Sequence, residues 1–248
     1  MKKKIMAICL VAVIAVIAIA GSSLAYLADT DAEDNVFTVG NIKIDLWENF
    51  DENYAELMPT TGKDDNGDII NAVEKEVFVY NEGKNDAYVR VHIAIPQILD
   101  NGDPTFDASR NVLHFNYAKE NVGEGKWDWS KTAGAPYEGE WNFYTAEIDG
   151  VWYNVYVVTY EGILAPGTST VDAMHQVYLD SKVSSSDVED ITEVLGEEWH
   201  IYIAAEGVQE QGFTDAYTAL NTAFGVPGTY AVDWTAELGV DTEAGEPN

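Results

Sequence analysis

Cysteine is nearly absent from this chain. Of its 248 residues only Cys9 is one, and it sits inside an N-terminal apolar run rather than behind it. A lipoprotein cleavage site needs its cysteine after the apolar run, so none is indicated, and no disulfide framework can staple the fold. Basic side chains are scarce as well, 13 against 43 acidic ones. That imbalance repels phosphate backbones and anionic membrane surfaces, so the reading is no nucleic-acid partner and no peripheral membrane role. Catalytic signatures are missing too. None of His92, His114, His175 and His200 stands in an H-E-x-x-H pair, and there is no G-x-S-x-G turn or glycine-rich phosphate loop. Carboxylates are too numerous for one pair to stand out as a glycosidase couple. The expectation is a protein that is not an enzyme.

The apolar run that is present spans Ile5–Ala20, 16 residues behind Lys2, Lys3 and Lys4. It falls short of the ~20 residues that span a bilayer. Ser23 and Ala25 place small residues at the −3 and −1 positions of a signal-peptidase site, with Tyr26 first after the cut. The segment 1–25 therefore reads as an export signal whose partner is signal peptidase. The mature chain is expected to be secreted, in the extracellular matrix or at the cell surface. Without that segment, which holds three lysines and no acid, 10 basic side chains face 43 acidic ones, a net charge of −33. The remaining 223 residues are free of cysteine and long enough to bury a core.

Period-2 patterns dominate the mature chain. Ile42, Ile44 and Leu46 alternate with polar or mixed positions, as do Val89, Val91, Ile93 and Ile95, and each series predicts a strand with one buried face. Val77–Tyr80 is a shorter strand. Trp141–Tyr160 predicts a hairpin on Asp149-Gly150, because a two-residue turn of this kind needs positive φ at both positions. Further strands are expected near Val171–Val183 and Trp199–Ala205. Ser186-Asp187-Val188-Glu189 reads as a capping box opening a helix that Gly196 stops, and a second helix runs from near Thr214 to Gly225. The expected fold is all-β, a jelly-roll-like β-sandwich with two short helices in its connections. Residues 26–225 form the domain, and 226–248 form an acidic, weakly ordered tail. The stretches 57–70 and 116–139 read as flexible loops.

Two features are candidate sites. Asp64, Asn66 and Asp68 have the alternate spacing of the first EF-hand ligands, but Gly67 and Lys75 stand where that loop needs other residues. A turn on Asn66-Gly67 explains the same residues, so no cofactor is expected beyond weak Ca2+. The histidines read as cross-strand or core-edge residues, with a zinc site assembled from distant strands left open. Trp127, Trp129 and Trp141 bracket an open-looking loop. They read as a stacking platform for sugar or a protein contact; alternatively, Trp141 and the Trp152 hairpin face belong to the core or cover a sheet edge.

The run from Ala25-Tyr26-Leu27-Ala28-Asp29-Thr30-Asp31 to Asn35-Val36-Phe37-Thr38-Val39-Gly40-Asn41-Ile42 resembles the mature N-terminus of the TasA/camelysin family, exported proteins with a SipW-type signal peptide. Three later stretches are similar to the same group: Val79–Gly83 with Asp86–Val91, Ile163–Thr168, and Ala204–Gln209 with Gly212–Ala216. The resemblance implies a jelly roll serving as a fibre subunit of the biofilm matrix, a homopolymer in contact with other matrix proteins. It also implies donor-strand exchange, in which the N-terminal strand of one subunit completes the sheet of the next. Here that strand is Tyr26–Leu46, anchored by Val36, Phe37, Val39, Ile42 and Ile44. The camelysin branch is described as metalloprotease, but the missing helix motif speaks against carrying that activity over. The alternative reading is a monomeric surface-binding module for sugar or a matrix protein.

Overall fold

A computed structural model describes residues 28–30, 42–50, 57–100, 111–115, 127–128 and 143–234. Among these residues, ten strands and two helices follow in chain order: β1 (Ala28–Thr30), β2 (Ile44–Asn49), β3 (Val73–Asn81), β4 (Ala87–Pro96), β5 (Leu113–Phe115), β6 (Trp127–Asp128), β7 (Phe143–Ile148), β8 (Val151–Tyr160), β9 (Met174–Leu179), α1 (Ser185–Leu195), β10 (Tyr202–Gln209) and α2 (Ala216–Ala223). They build two antiparallel sheets. The first runs β1-β10-β4-β8, with β6 and β7 sharing the far edge of β8, and the second runs β2-β3-β9-β5. The connections from β3 to β4, β4 to β5, β8 to β9 and β9 to β10 each change sheet. That is the pattern of a jelly-roll-like sandwich, and the all-β expectation with two short helices holds.

The core follows from strand alternation. Ile44 and Leu46 of β2 with Val77 and Val79 of β3 meet Val89, Val91, Ile93 and Ile95 of β4 and Val158 of β8, all buried in one cluster. β4 differs from a half-exposed strand in that all ten of its residues are buried. Its second face, Tyr88, Arg90, His92 and Ala94, lies under α2 and the chain beyond it. The segment 226–234, which its composition would place in the tail, belongs to this cover: Tyr230 and Trp234 set their rings edge-on against His92. Aromatic side chains can bury area there that the acidic composition of the tail as a whole conceals.

Local structure refines several boundaries. Asp149 and Gly150 take φ of 50° and 83°, as the two-residue hairpin between β7 and β8 requires. The capping box of α1 lies two residues earlier than the sequence suggests. Ser184 caps, its hydroxyl accepting from the Asp187 N–H while the Asp187 carboxylate accepts from the Ser184 N–H. Ser184-x-x-Asp187 satisfies the same chemistry as Ser186-x-x-Glu189 and starts the helix earlier. The tryptophans exchange roles. Trp127 is buried, donates to the Val171 carbonyl at 2.9 Å and packs on Tyr160, whereas Trp152 is 53% exposed. Trp129 and Trp141 lie outside the described residues.

Candidate functional site at an open sheet edge

The strand β10 is where the first sheet opens. One side pairs with β4 over the whole strand, from Tyr202 opposite Ala94 to Gln209 opposite Ala87. The other side pairs with β1 only at its end: Ala28 with Val208, Asp29 with Gly207 and Thr30 with Glu206. Among the described residues no strand pairs with Tyr202–Ala205 on that side. A row of backbone N–H and C=O groups without a ladder partner is a template for another strand.

Beneath this edge the two sheets press together. A Cβ on Gly207 would stand 2.8 Å from Ile44 Cγ2 and 3.0 Å from its Cδ1, so only glycine lets β2 approach β10 this closely. Ile42 and Ile44 are thus core residues of their own chain, 6% and 2% exposed, and Ile44 is paired to Asn81 in β3. Val36, Phe37 and Val39, like Ser23, Ala25 and Tyr26, lie outside the described residues.

On the covered face of the same strand, Glu206 anchors a buried polar cluster. Its Oε2 accepts from Arg90 Nε at 2.5 Å and lies 3.2 Å from His92 Nε2, and its Oε1 accepts from the Tyr230 hydroxyl at 2.6 Å. Arg90 also donates to Asn221 Oδ1, to the Gly225 carbonyl and to the Tyr230 oxygen, at 2.8, 3.1 and 2.7 Å. The guanidinium thereby ties β4 to the elements that close the sheet. Burial would raise the Glu206 carboxyl, but hydrogen bonding from His92, the Arg90 charge and the Tyr230 hydroxyl outweigh it and hold it at about 2. Burial pushes His92 down, against the Glu206 carboxylate 3.2 Å from its Nε2, which pulls it up. Tyr230 is pushed up by burial and by the Glu206 charge. In the sequence, His92 falls on a strand face that looks solvated. The cluster is hidden there because its cover comes from a residue 138 positions away.

Three stretches, Val79–Val91, Ile163–Thr168 and Ala204–Ala216, meet around Asn81. Asn81, fully buried, donates from Nδ2 to the Asn85 and Leu164 carbonyls, both at 2.9 Å, and its Oδ1 accepts from Gly83 N at 2.9 Å. Ala87 and Leu164 exchange backbone hydrogen bonds of 3.0 and 2.9 Å, and Glu210 N reaches the Asp86 carbonyl at 2.9 Å. These contacts bind turn, loop and β10 into one structural knot.

Of the metal candidates, Asp64 is spent on its own loop. Its Oδ1 accepts from Asn66 N at 2.8 Å and Asp68 N at 2.9 Å, and Gly67 takes φ of 95°. Those backbone hydrogen bonds hold its carboxyl below the usual value. This is the geometry of an Asx-type turn. A different trio, Glu76, Asp172 and His175, brings one ligand atom from each within 4.8 Å of the others. Elsewhere a cleft of about 670 Å³ at the end of the sandwich is lined by Phe50, Val73, Val177 and Trp199. In it Lys75, ion-paired to Glu48, is lowered to about 8 by burial.

No known protein-family model matches this chain, and no curated protein matches it.

Proposed function

We propose that this chain is an exported structural subunit that assembles into extracellular fibres by strand addition, the segment ahead of Ile42 in one copy seating on the β10 edge of the next. The observation that carries the reading is the partial occupancy of that edge. Three residues of the N-terminal segment already pair with it, and the adjoining Tyr202–Ala205 stays open among the described residues. A strand that pairs within its own chain over so short a length can be replaced by the same segment of a neighbour, with the same ladder bonds and register. Because Ile42 and Ile44 are tied into the core of their own subunit, the exchanging segment narrows to the residues between Ala25 and Ile42. A sugar platform on Trp127 has no support, since that ring is buried.

The test compares the secreted mature protein with a form lacking residues 26–40, by electron microscopy and sedimentation. The mature form is expected to give filaments and the truncated form to remain monomeric with its β signal intact. Filaments of unchanged morphology and yield from the truncated form would refute strand addition by this segment.

A further inference from the structure

We propose that Glu76, Asp172 and His175 form a site for a divalent metal ion of the zinc class on the second sheet, the sheet that does not contain β10. Alternation places Val77 and Val79 of β3 in the core, so Glu76 points outward. On β9, Met174 is buried and the next residue, His175, is half-exposed, while Asp172 sits two residues before the strand begins. Val77 lies opposite Met174, which makes Glu76 and His175 neighbours across the ladder. The register shifts between Glu74 and Val77, so β3 carries one more residue than β9 there. Such bulges re-aim side chains at the point where they occur.

The distances suit a coordination shell. His175 Nδ1 stands 3.3 Å from Asp172 Oδ2 and 3.7 Å from Glu76 Oε1. Metal–ligand bonds of about 2.0–2.2 Å in a tetrahedron set ligand atoms roughly 3.3–3.6 Å apart, so an ion fits among the three with little movement. Glu76 is oriented from outside the trio: its Oε2 accepts from Asn49 Nδ2 at 3.1 Å, which leaves Oε1 facing the ring. A fixed second oxygen is how outer partners aim a metal-binding carboxylate. All three side chains are partly exposed, at 26%, 29% and 31%, so a hydrated ion can reach them, and water would complete the shell. The imidazole nitrogen decides the class of ion. Ca2+ and Mg2+ take oxygen shells, whereas one nitrogen with two carboxylates suits Zn2+ and Co2+. This separates the trio from the many carboxylates of a chain with 43 acidic residues, which attract any divalent ion diffusely.

The experiment titrates the mature protein with Co2+, in physiological salt and excess Mg2+, and follows visible ligand-field absorption. One Co2+ per chain is expected, displaced by Zn2+ and not by Ca2+. The substitutions His175→Ala and Glu76→Gln are each expected to weaken binding roughly tenfold or more, whereas Asp64→Asn leaves it unchanged. The β signal in circular dichroism checks that each variant is folded. Absorption that is absent, that Ca2+ abolishes, or that folded His175→Ala retains overturns the site.

Discussion

Arg90 and Glu206 are opposite one another in the β4–β10 register, with side chains only 3% and 5% exposed. A buried ion pair adds little over an apolar pair of the same shape, but removing one partner strands the other and costs about 3–5 kcal/mol. Glu206→Gln is therefore expected to lower the urea midpoint sharply. Acid acts on the same cluster. His92 and Glu206 both have folded-state values below their unfolded ones, so each contributes stability that is present at high pH and lost as pH falls. The loss begins near the ordinary histidine value of about 6.5, where the unfolded chain takes up a proton that the buried ring does not. It continues from the ordinary carboxyl value of 4.5 toward about 2, as Glu206 is neutralised. Urea unfolding at pH 7 and pH 5 is expected to show a lower midpoint at pH 5, and His92→Gln to flatten that difference. An equal slope in the variant would place the acid sensitivity elsewhere.

At the scale of elements, β10 is constrained on both faces and one edge. Gly207 gives the tightest constraint, because the Ile44 Cγ2 that meets its missing Cβ is attached directly to a β-branched centre and cannot swing aside. Gly207→Ala is expected to cost about 1–3 kcal/mol by overpacking. Ile44→Ala, which creates a cavity in its own right, is expected to absorb part of that cost in the double variant, as a positive coupling in a denaturation cycle. Additive effects would show that the sheets relax apart instead. The strands themselves are legible in the sequence wherever alternation is clean, as in Val89–Ile95, and the Asp149-Gly150 turn is legible because few residue pairs accept positive φ twice. The candidate sites are less so. Arg90 and His92 stand at polar positions of an alternating strand, and only the return of α2, Tyr230 and Trp234 reveals that this face is covered. Glu76 and His175 are brought together by strand pairing, which short-range spacing cannot encode. The cap at Ser184 is ambiguous in the sequence because two overlapping Ser-rich patterns compete for the same helix start.

At the scale of the whole molecule, a net charge of −30, which becomes −33 without residues 1–25, opposes the close approach of any two copies. The proposed strand addition would bring the edge of one subunit against the acidic N-terminal segment of another, which holds Asp29, Asp31, Glu33 and Asp34. The repulsion is long-ranged at low ionic strength, where the screening length is about 30 Å, and collapses to about 8 Å at physiological salt. Screening leaves the backbone ladder untouched, so it changes how fast subunits meet rather than how the strand sits once docked. Filament growth, followed by light scattering and checked by microscopy, is accordingly expected to be slow in dilute buffer. It should accelerate steeply with added NaCl, and divalent cations should match that effect at much lower concentration. Filaments formed at high salt should persist on return to moderate salt, because their dissociation requires breaking the ladder. Growth that is indifferent to salt would mean that the charge is held away from the contacting surfaces and that the rate is set by release of β1 from its own β10 edge.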